Sequence, residues 1–458
     1  MEHFASLRLK GIIAALWTGN LLAPLLMSGV AAMLPAIGSS FGASAVELSL
    51  VMVCYNLGQT VSHLAAGKMC VIHGTKRFLL FSMGLFVALS LLLASAFAMP
   101  AVIGLRLAQG ISAGGISCCV TALSFTIAPP EHRGKVISIV LTAVYLGLTL
   151  GPLVCGGLTE LLNWRLVFAL VAALGCVVFV LLRSGLPPDK SASGERFDVP
   201  GALLLFLGLS AVTLGAACAF LHPGVIWFFP TGLVLTGLFL RRDWRSPHSI
   251  LELALLSGVR GVFSGLLATF VNYGAIMGLS LFFSLYLQQV LGLNAFQAGM
   301  VMMVQSFAQL LFTLPAGGWT DLFGAARVAS LGLAVSAAGL AGVLLLDEHS
   351  SLAAVCVCEA LLGGGVGVFA ASSMAATLEH VPAPQISVAS GLLGCMRTLG
   401  GLMSNMTLSC TIGFFMGSAV VSPANTGLFL AASRCALILF IAMNLLGLAV
   451  MLRTARRR

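Results

Sequence analysis

The chain has 458 residues, of which 59% are hydrophobic and only 8% charged, with a formal net charge of +9. A soluble domain carries about 25% charged residues, so this composition excludes an ordinary globular fold in water and fits a chain whose solvent is largely lipid. The basic residues form no single patch; they sit in short turns between apolar runs, which argues for membrane topology and against a nucleic-acid partner. The 12 cysteines are scattered. Cys118-Cys119 and Cys356-Val357-Cys358 lack zinc-type spacing and read as small, reduced core residues. No metal, cofactor or nucleophile constellation is expected, and the sequence has no P-loop, so neither an enzyme nor an ATP-driven motor is indicated.

A membrane-spanning helix needs about 20 mostly apolar residues. By that measure the first six spans are expected at 11–37, 46–66, 77–98, 101–127, 135–157 and 165–183. The first is too long for a signal-peptide core and is expected to remain. Two more follow at 199–220 and 224–240, the second short and carrying Pro230. The last six are expected at 259–289, 296–316, 325–346, 351–376, 387–413 and 425–452. The chain thus reads as an all-α integral membrane protein of fourteen spans. It divides into a six-helix bundle over 1–190, an extra pair of helices with linkers over 191–250, and a second six-helix bundle over 251–458. With the N-terminus inside, the inner turns hold nineteen of the 23 Lys and Arg, while Glu47, Asp347 and Glu348 fall on the other side. That asymmetry places both termini in the cytoplasm.

The two bundles are related. Gly42, Ala45, Val51, Met52, Gln59, Leu64, Ala66, Gly67, Gly74 and Arg77 recur 250 residues later as Gly292, Ala295, Val301, Met302, Gln309, Leu314, Ala316, Gly317, Gly324 and Arg327. Repeated halves are a mark of secondary transporters, with the site expected between them. The repeat centres on a polar hinge, Gly317 to Arg327, in which the glycines are read as allowing a tight turn and close helix approach. Asp321 opposes the inner-side positive bias and is read as a conformational latch; the alternative is a solvated turn. The earlier copy has Val71 at the acidic position, which weakens that latch and leaves Lys76 and Arg77 as topology charges.

These features resemble the major facilitator superfamily, and within it the 14-helix drug:proton antiporter branch of multidrug efflux type. The hinge resembles GxLaDrxGrk. Arg106-Leu-Ala-Gln109-Gly110-Ile-Ser-Ala-Gly114 resembles RxxqGxgaa. Gly147-Leu-Thr-Leu-Gly151-Pro152-Leu-Val-Cys155-Gly156 resembles the antiporter motif gxxxGPxxGG, with Cys155 in place of a glycine, which is expected to loosen the helix packing there slightly. Asn163-Trp164-Arg165, Arg196-Phe197-Asp198, Tyr286-Leu-Gln288-Gln289-Val-Leu-Gly292 and Arg397-Thr-Leu-Gly400-Gly401 are also similar to that branch. The resemblance covers nearly the whole chain. It implies two bundles rocking about a midplane cavity, with export favoured over uptake, in a bacterial inner membrane.

Particular residues follow. An Arg in lipid must find partners in the bundle interior, and the resemblance implies for Arg106 a role in proton coupling or substrate contact. Glu359 lies at the matching position of span 12; a desolvated carboxyl favours its protonated form, and Glu359 is expected as the proton site, coupled to Arg106 across the cavity. The bland reading is an acid near the outer headgroups. Asn56, Gln59, Tyr145, Asn272, Tyr273, Gln305, Gln309, Arg397 and Asn405 are cavity candidates, although polar groups within spans also serve as interhelical glue. His63 reads as an interface histidine before a proton site. In span 1 the resembled branch carries an acid and an asparagine where this chain has Leu26 and Ala31, which removes one cation site and favours neutral, lipophilic or anionic substrates. The expected activity is proton-coupled efflux of a small lipophilic compound by a monomer, with protons and the lipid bilayer as the other partners. The alternative is a narrow metabolite exporter or facilitator without proton coupling. A non-transporting sensor is disfavoured by the short loops.

Overall fold

The computed structural model describes residues 2–127, 133–186, 188–189, 197–217, 223–246, 261–378, 381, 386–417, 421 and 425–456. Among these residues there is no strand. The first half contains α1 (Glu2–Phe41), α2 (Ala45–His73), α3 (Thr75–Ala94), α4 (Met99–Ile127), α5 (Arg133–Leu161) and α6 (Trp164–Gly185). The central pair is α7 (Val199–Ala217) and α8 (Phe228–Arg245), the latter preceded by a 3-10 turn, Pro223–Trp227. The second half contains α9 (Val262–Ile276), α10 (Leu279–Leu285), α11 (Ala295–Phe323), α12 (Ala325–Leu344), α13 (Leu352–Leu378), α14 (Ile386–Met416) and α15 (Thr426–Arg456). All-helical structure is what a chain in lipid must adopt, because every backbone polar group has to be satisfied within its own segment.

Thirteen described segments are long and apolar enough to cross a membrane. The fourteenth expected span, α2, is 29 residues long, but Glu47, Asn56, Gln59 and Thr60 dilute its apolar character. Large side chains such as Phe81, Leu170, Leu311 and Leu446 stand exposed on the outside of the bundle, as a lipid-facing surface requires. The chain is a multi-pass membrane protein.

The two halves repeat one packing scheme. In the first, α1 packs on α5, α2 on α4, and α3 on both α4 and α6. In the second, α9 packs on α14, α11 on α13, and α12 on both α13 and α15. The register repeats as well. A Cβ at Gly110 would strike the Tyr55 carbonyl, and one at Gly363 would strike that of Gln305. The pair Gly114 and Gln59 is matched in the same way by Gly367 and Gln309. The halves meet along two seams, α5 against α11 and α2 against α14, and α7 leans on α2 and α14.

Three local features depart from the sequence expectation. The hinge is mostly helical. α2 runs to His73 and α11 to Phe323, and only Gly74 (φ 90°) and Gly324 (φ 86°) turn the chain. Gly67 and Gly317 are helical, and nothing lies near where their Cβ would be, so they provide neither the tight turn nor the close approach. Helix simply persists past the apolar run, because its hydrogen bonds are internal. Second, the span expected at 259–289 is broken between α9 and α10, and Ser404 Oγ on α14 accepts the Gly278 N–H at 2.8 Å. A π turn, Tyr286–Val290, ends it. Third, Cys155 does not loosen the α1–α5 packing: it is fully buried opposite Gly29, whose missing side chain makes room for the sulfur.

Candidate functional site

One end of the bundle carries Lys68, Lys76, Arg77, Arg183, Arg241, Arg242, Arg245, Arg327 and Arg453; the other carries Glu47, Glu160, Asp347 and Glu348. These are the basic and acidic ends. The seams are tied together at the acidic end. Ser49 Oγ on α2 lies 2.6 Å from Ser409 Oγ on α14. Gln288 Nε2 donates to the Ala32 carbonyl at 3.1 Å, and Ser284 Oγ donates to the Ala31 carbonyl. On the other seam, Gly156 lies against the Ala295 carbonyl and Gly299 against that of Pro152. The glycine motif of α5 is thus divided between two tasks. Gly147 and Gly151 pack on the α1 backbone around Leu21, Leu25 and Gly29, within their own half, while Pro152 and Gly156 touch the other half.

Toward the basic end of the spans, four polar side chains from four helices are electrostatic neighbours along the seam. Arg397 on α14 is the electrostatic neighbour of Tyr273 on α9 and of His63 on α2, and Tyr145 on α5 neighbours Tyr273. Two come from each half. Arg397 is exposed, whereas Tyr273 is buried and His63 and Tyr145 are half-buried. The remaining cavity candidates are placed differently. Asn56 Nδ2 donates to the Met52 carbonyl and Asn405 Nδ2 to the Gly401 carbonyl, each in its own helix. Asn272 is fully buried with neither amide atom partnered. Gln59 and Gln309 present their backbone carbonyls to α4 and α13.

Arg106 and Glu359 are not brought together. Each is held inside its own half, in the third of the span nearest the acidic end. Arg106 is 0% exposed, with its Cζ 4.0 Å from the centre of the Tyr55 ring and Nη1 donating to Gln109 Oε1 at 2.6 Å. Gln109 is itself fixed by Ser90 Oγ at 2.9 Å. A desolvated cation–π contact is worth about 2 kcal/mol and a hydrogen bond to a charged group about 1.5–3 kcal/mol. Together they offset the roughly 3 kcal/mol cost of an Arg at bilayer depth. Its Nε and Nη2 have no hydrogen-bond partner. Glu359 is 1% exposed and accepts the Gln305 backbone N–H at 3.2 Å.

At the basic end the structure supplies an acid that the hinge sequence lacks. Asp189, in the turn after α6, accepts the N–H groups of Lys76 at 2.8 Å and Arg77 at 3.0 Å. Its carboxylate caps α3, where the helix dipole favours negative charge. Lys76 Nζ donates to the Leu186 carbonyl, closing the turn. Nothing local predicts this, because Asp189 stands more than a hundred residues from the hinge. Arg77 and Arg327 are exposed. The side chains of Asp321 and Val71 lie outside the described residues, as does that of Leu64.

Two repeated six-helix halves, closed against each other at one end along a polar seam, define a secondary membrane carrier. Residues 16–263 and 265–458 match the Major Facilitator Superfamily, and the chain belongs to that superfamily. It is 26% identical over 402 residues to "Multidrug resistance protein B homolog" of Mycobacterium tuberculosis, covering 84% of this chain and 73% of that protein. It is 25% identical over 418 residues to "Riboflavin transporter RibZ" of Clostridioides difficile, covering 88% of this chain and 90% of that one. A crystal structure of a POT peptide transporter superposes with a TM-score of 0.72 at 17% identity, covering 97% of this chain and 95% of that one.

Proposed function

We propose that this carrier exports a small, lipophilic compound across the bacterial inner membrane in exchange for protons. In this reading it is a monomer with its basic end and both termini in the cytoplasm. Alternating access then consists of the two halves rocking about the seams, with the closed acidic end opening outward. Cytoplasmic placement of the basic end follows the positive-inside bias. The name of the mycobacterial relative supports a role in drug resistance.

The observation that carries the proton-coupled reading is Glu359. Among the described residues of the two six-helix halves it is the one carboxyl set well inside a span. It is sealed from solvent with a single backbone donor and no paired cation. Such a group serves as a proton carrier when the halves part, because opening changes its hydration and so the relative stability of its two forms. Arg106 acts separately, as the anchor that fixes α2, α3 and α4 around it. Leu26, fully buried where the resembled branch has an acid, favours a second reading, a narrow exporter or facilitator of one metabolite without coupling.

The test is efflux from reconstituted vesicles with a pH gradient imposed and then collapsed by an ionophore. Uphill movement that stops on collapse supports antiport. Downhill exchange indifferent to the gradient selects the facilitator.

A further inference from the structure

We infer that the polar seam holds an anion-binding subsite centred on Arg397, so that the compound carried is an amphiphilic organic anion. The inference rests on the carrier reading above and names the chemistry of its substrate. Two of the arginines set within spans, Arg106 and Arg397, can be compared directly. Arg106 is fully buried, with its charge spread over the Tyr55 ring and the Gln109 amide oxygen. Arg397 lies on α14 with its side chain exposed, and its electrostatic neighbours are Tyr273 and, from the opposite half, His63. Neither neighbour is an anion.

Among the described residues no carboxylate pairs with Arg397. Glu359 is engaged by the Gln305 N–H nearer the acidic end. The Glu47 carboxylate accepts the Ser44 N–H in the α2 capping box, Asp189 caps α3, and Asp347 is bonded within its own turn. Asp198 is held by Arg242 in the central pair. A guanidinium kept at bilayer depth without a protein counter-charge is costly. Its planar fork matches a carboxylate or sulfonate in two-point fashion. Tyr273 beside it, and Tyr145 beside Tyr273, offer hydroxyl donors and aromatic faces to the apolar body of the same ligand. Leu26, at the position where the resembled branch carries an acid, leaves span 1 without a group to attract a cation.

The test is binding in nanodiscs of neutral phosphatidylcholine, with two fluorescent probes that share one ring system. Anilinonaphthalene sulfonate carries the anion, and phenylnaphthylamine lacks it. The expected result is that Arg397→Gln weakens the sulfonate by about tenfold or more and leaves the neutral probe unchanged, while Arg397→Lys, which keeps the charge but not the two-point fork, recovers only part of the sulfonate affinity. Equal loss of both probes, or no loss of either, overturns the subsite. A parallel set of nanodiscs contains phosphatidylglycerol; loss of sulfonate binding there assigns Arg397 to an anionic lipid headgroup and overturns the solute reading. Binding needs neither gradient nor turnover, so failure here leaves the flux test of the carrier standing, and failure of that test leaves this result intact.

Discussion

Arg106 and Glu359 occupy matching positions in the two halves, and each is pinned against the matching residue of the neighbouring helix. Arg106 stacks on Tyr55, and Glu359 takes the backbone N–H of Gln305, which stands 250 residues after Tyr55. The duplicated frame therefore holds one cation and one acid in equivalent pockets without pairing them. A coupled pair would neutralise both charges and leave neither free to respond to the opening of its own half. On the proposed antiport reading, separate pockets would let the acid exchange a proton while the arginine holds its bundle together.

The closed acidic end yields a direct mechanical prediction. Ser49 and Ser409 oppose each other across the α2–α14 seam at 2.6 Å, close to the roughly 2 Å of a disulfide bond. In a Ser49→Cys, Ser409→Cys double variant, oxidation is expected to form the cross-link, detectable by peptide mass spectrometry, and to abolish transport. Reduction should restore it. Full transport with the link formed would mean that this seam does not open during the cycle.

The hinge glycines separate into two classes. Gly324 has φ 86°, a left-handed conformation that costs a residue with a Cβ about 1–2 kcal/mol. Gly317 is helical with free space around it, where alanine gains about 0.5–1 kcal/mol over glycine. Thermal unfolding in detergent should therefore fall for Gly324→Ala and hold or rise for Gly317→Ala. The reverse order would contradict the assignment of the turn to the second glycine alone.

Asp189 should behave as a structural cap. Removing a side-chain cap costs about 1 kcal/mol, and up to about 2 kcal/mol in strong cases. Asp189→Ala is expected to lower stability on that scale, and Asp189→Asn, which keeps one acceptor for Lys76 or Arg77, to lose less. Protease protection of the 184–198 linker region is the complementary readout: it should fall with the cap. An unchanged unfolding temperature in Asp189→Ala would show that the capping bonds contribute nothing net.

Much of the fold was legible because lipid imposes it. Apolar length marks the spans, charge asymmetry marks the ends, and the 250-residue register marks the halves. Long-range polar contacts were not legible. The break after Ile276 depends on Ser404, 126 residues from Gly278, and the apolar run passes through it unaltered. The α3 cap depends on Asp189, 113 residues from Lys76. The helical state of Gly67 and Gly317 was hidden because a glycine-rich polar stretch reads as a turn when its backbone bonds cannot be seen. At the site, each of Tyr145, Tyr273 and Arg397 stood out singly as a polar residue in an apolar run. Their meeting with His63 is a property of four helices crossing, which periodicity along one chain does not encode. The separation of Arg106 from Glu359 was missed for the same reason: equivalence in a repeat places two residues alike in their own halves and says nothing of the distance between them.

The central claim is that this carrier moves its substrate against protons through Glu359. The most direct measurement is proton release from acid-loaded everted vesicles on addition of a transported compound, in the wild type and in Glu359→Gln. The account predicts release that tracks substrate uptake in the wild type. In the variant it predicts loss of that release with downhill substrate exchange retained. Substrate-induced proton release of wild-type size in Glu359→Gln would contradict it.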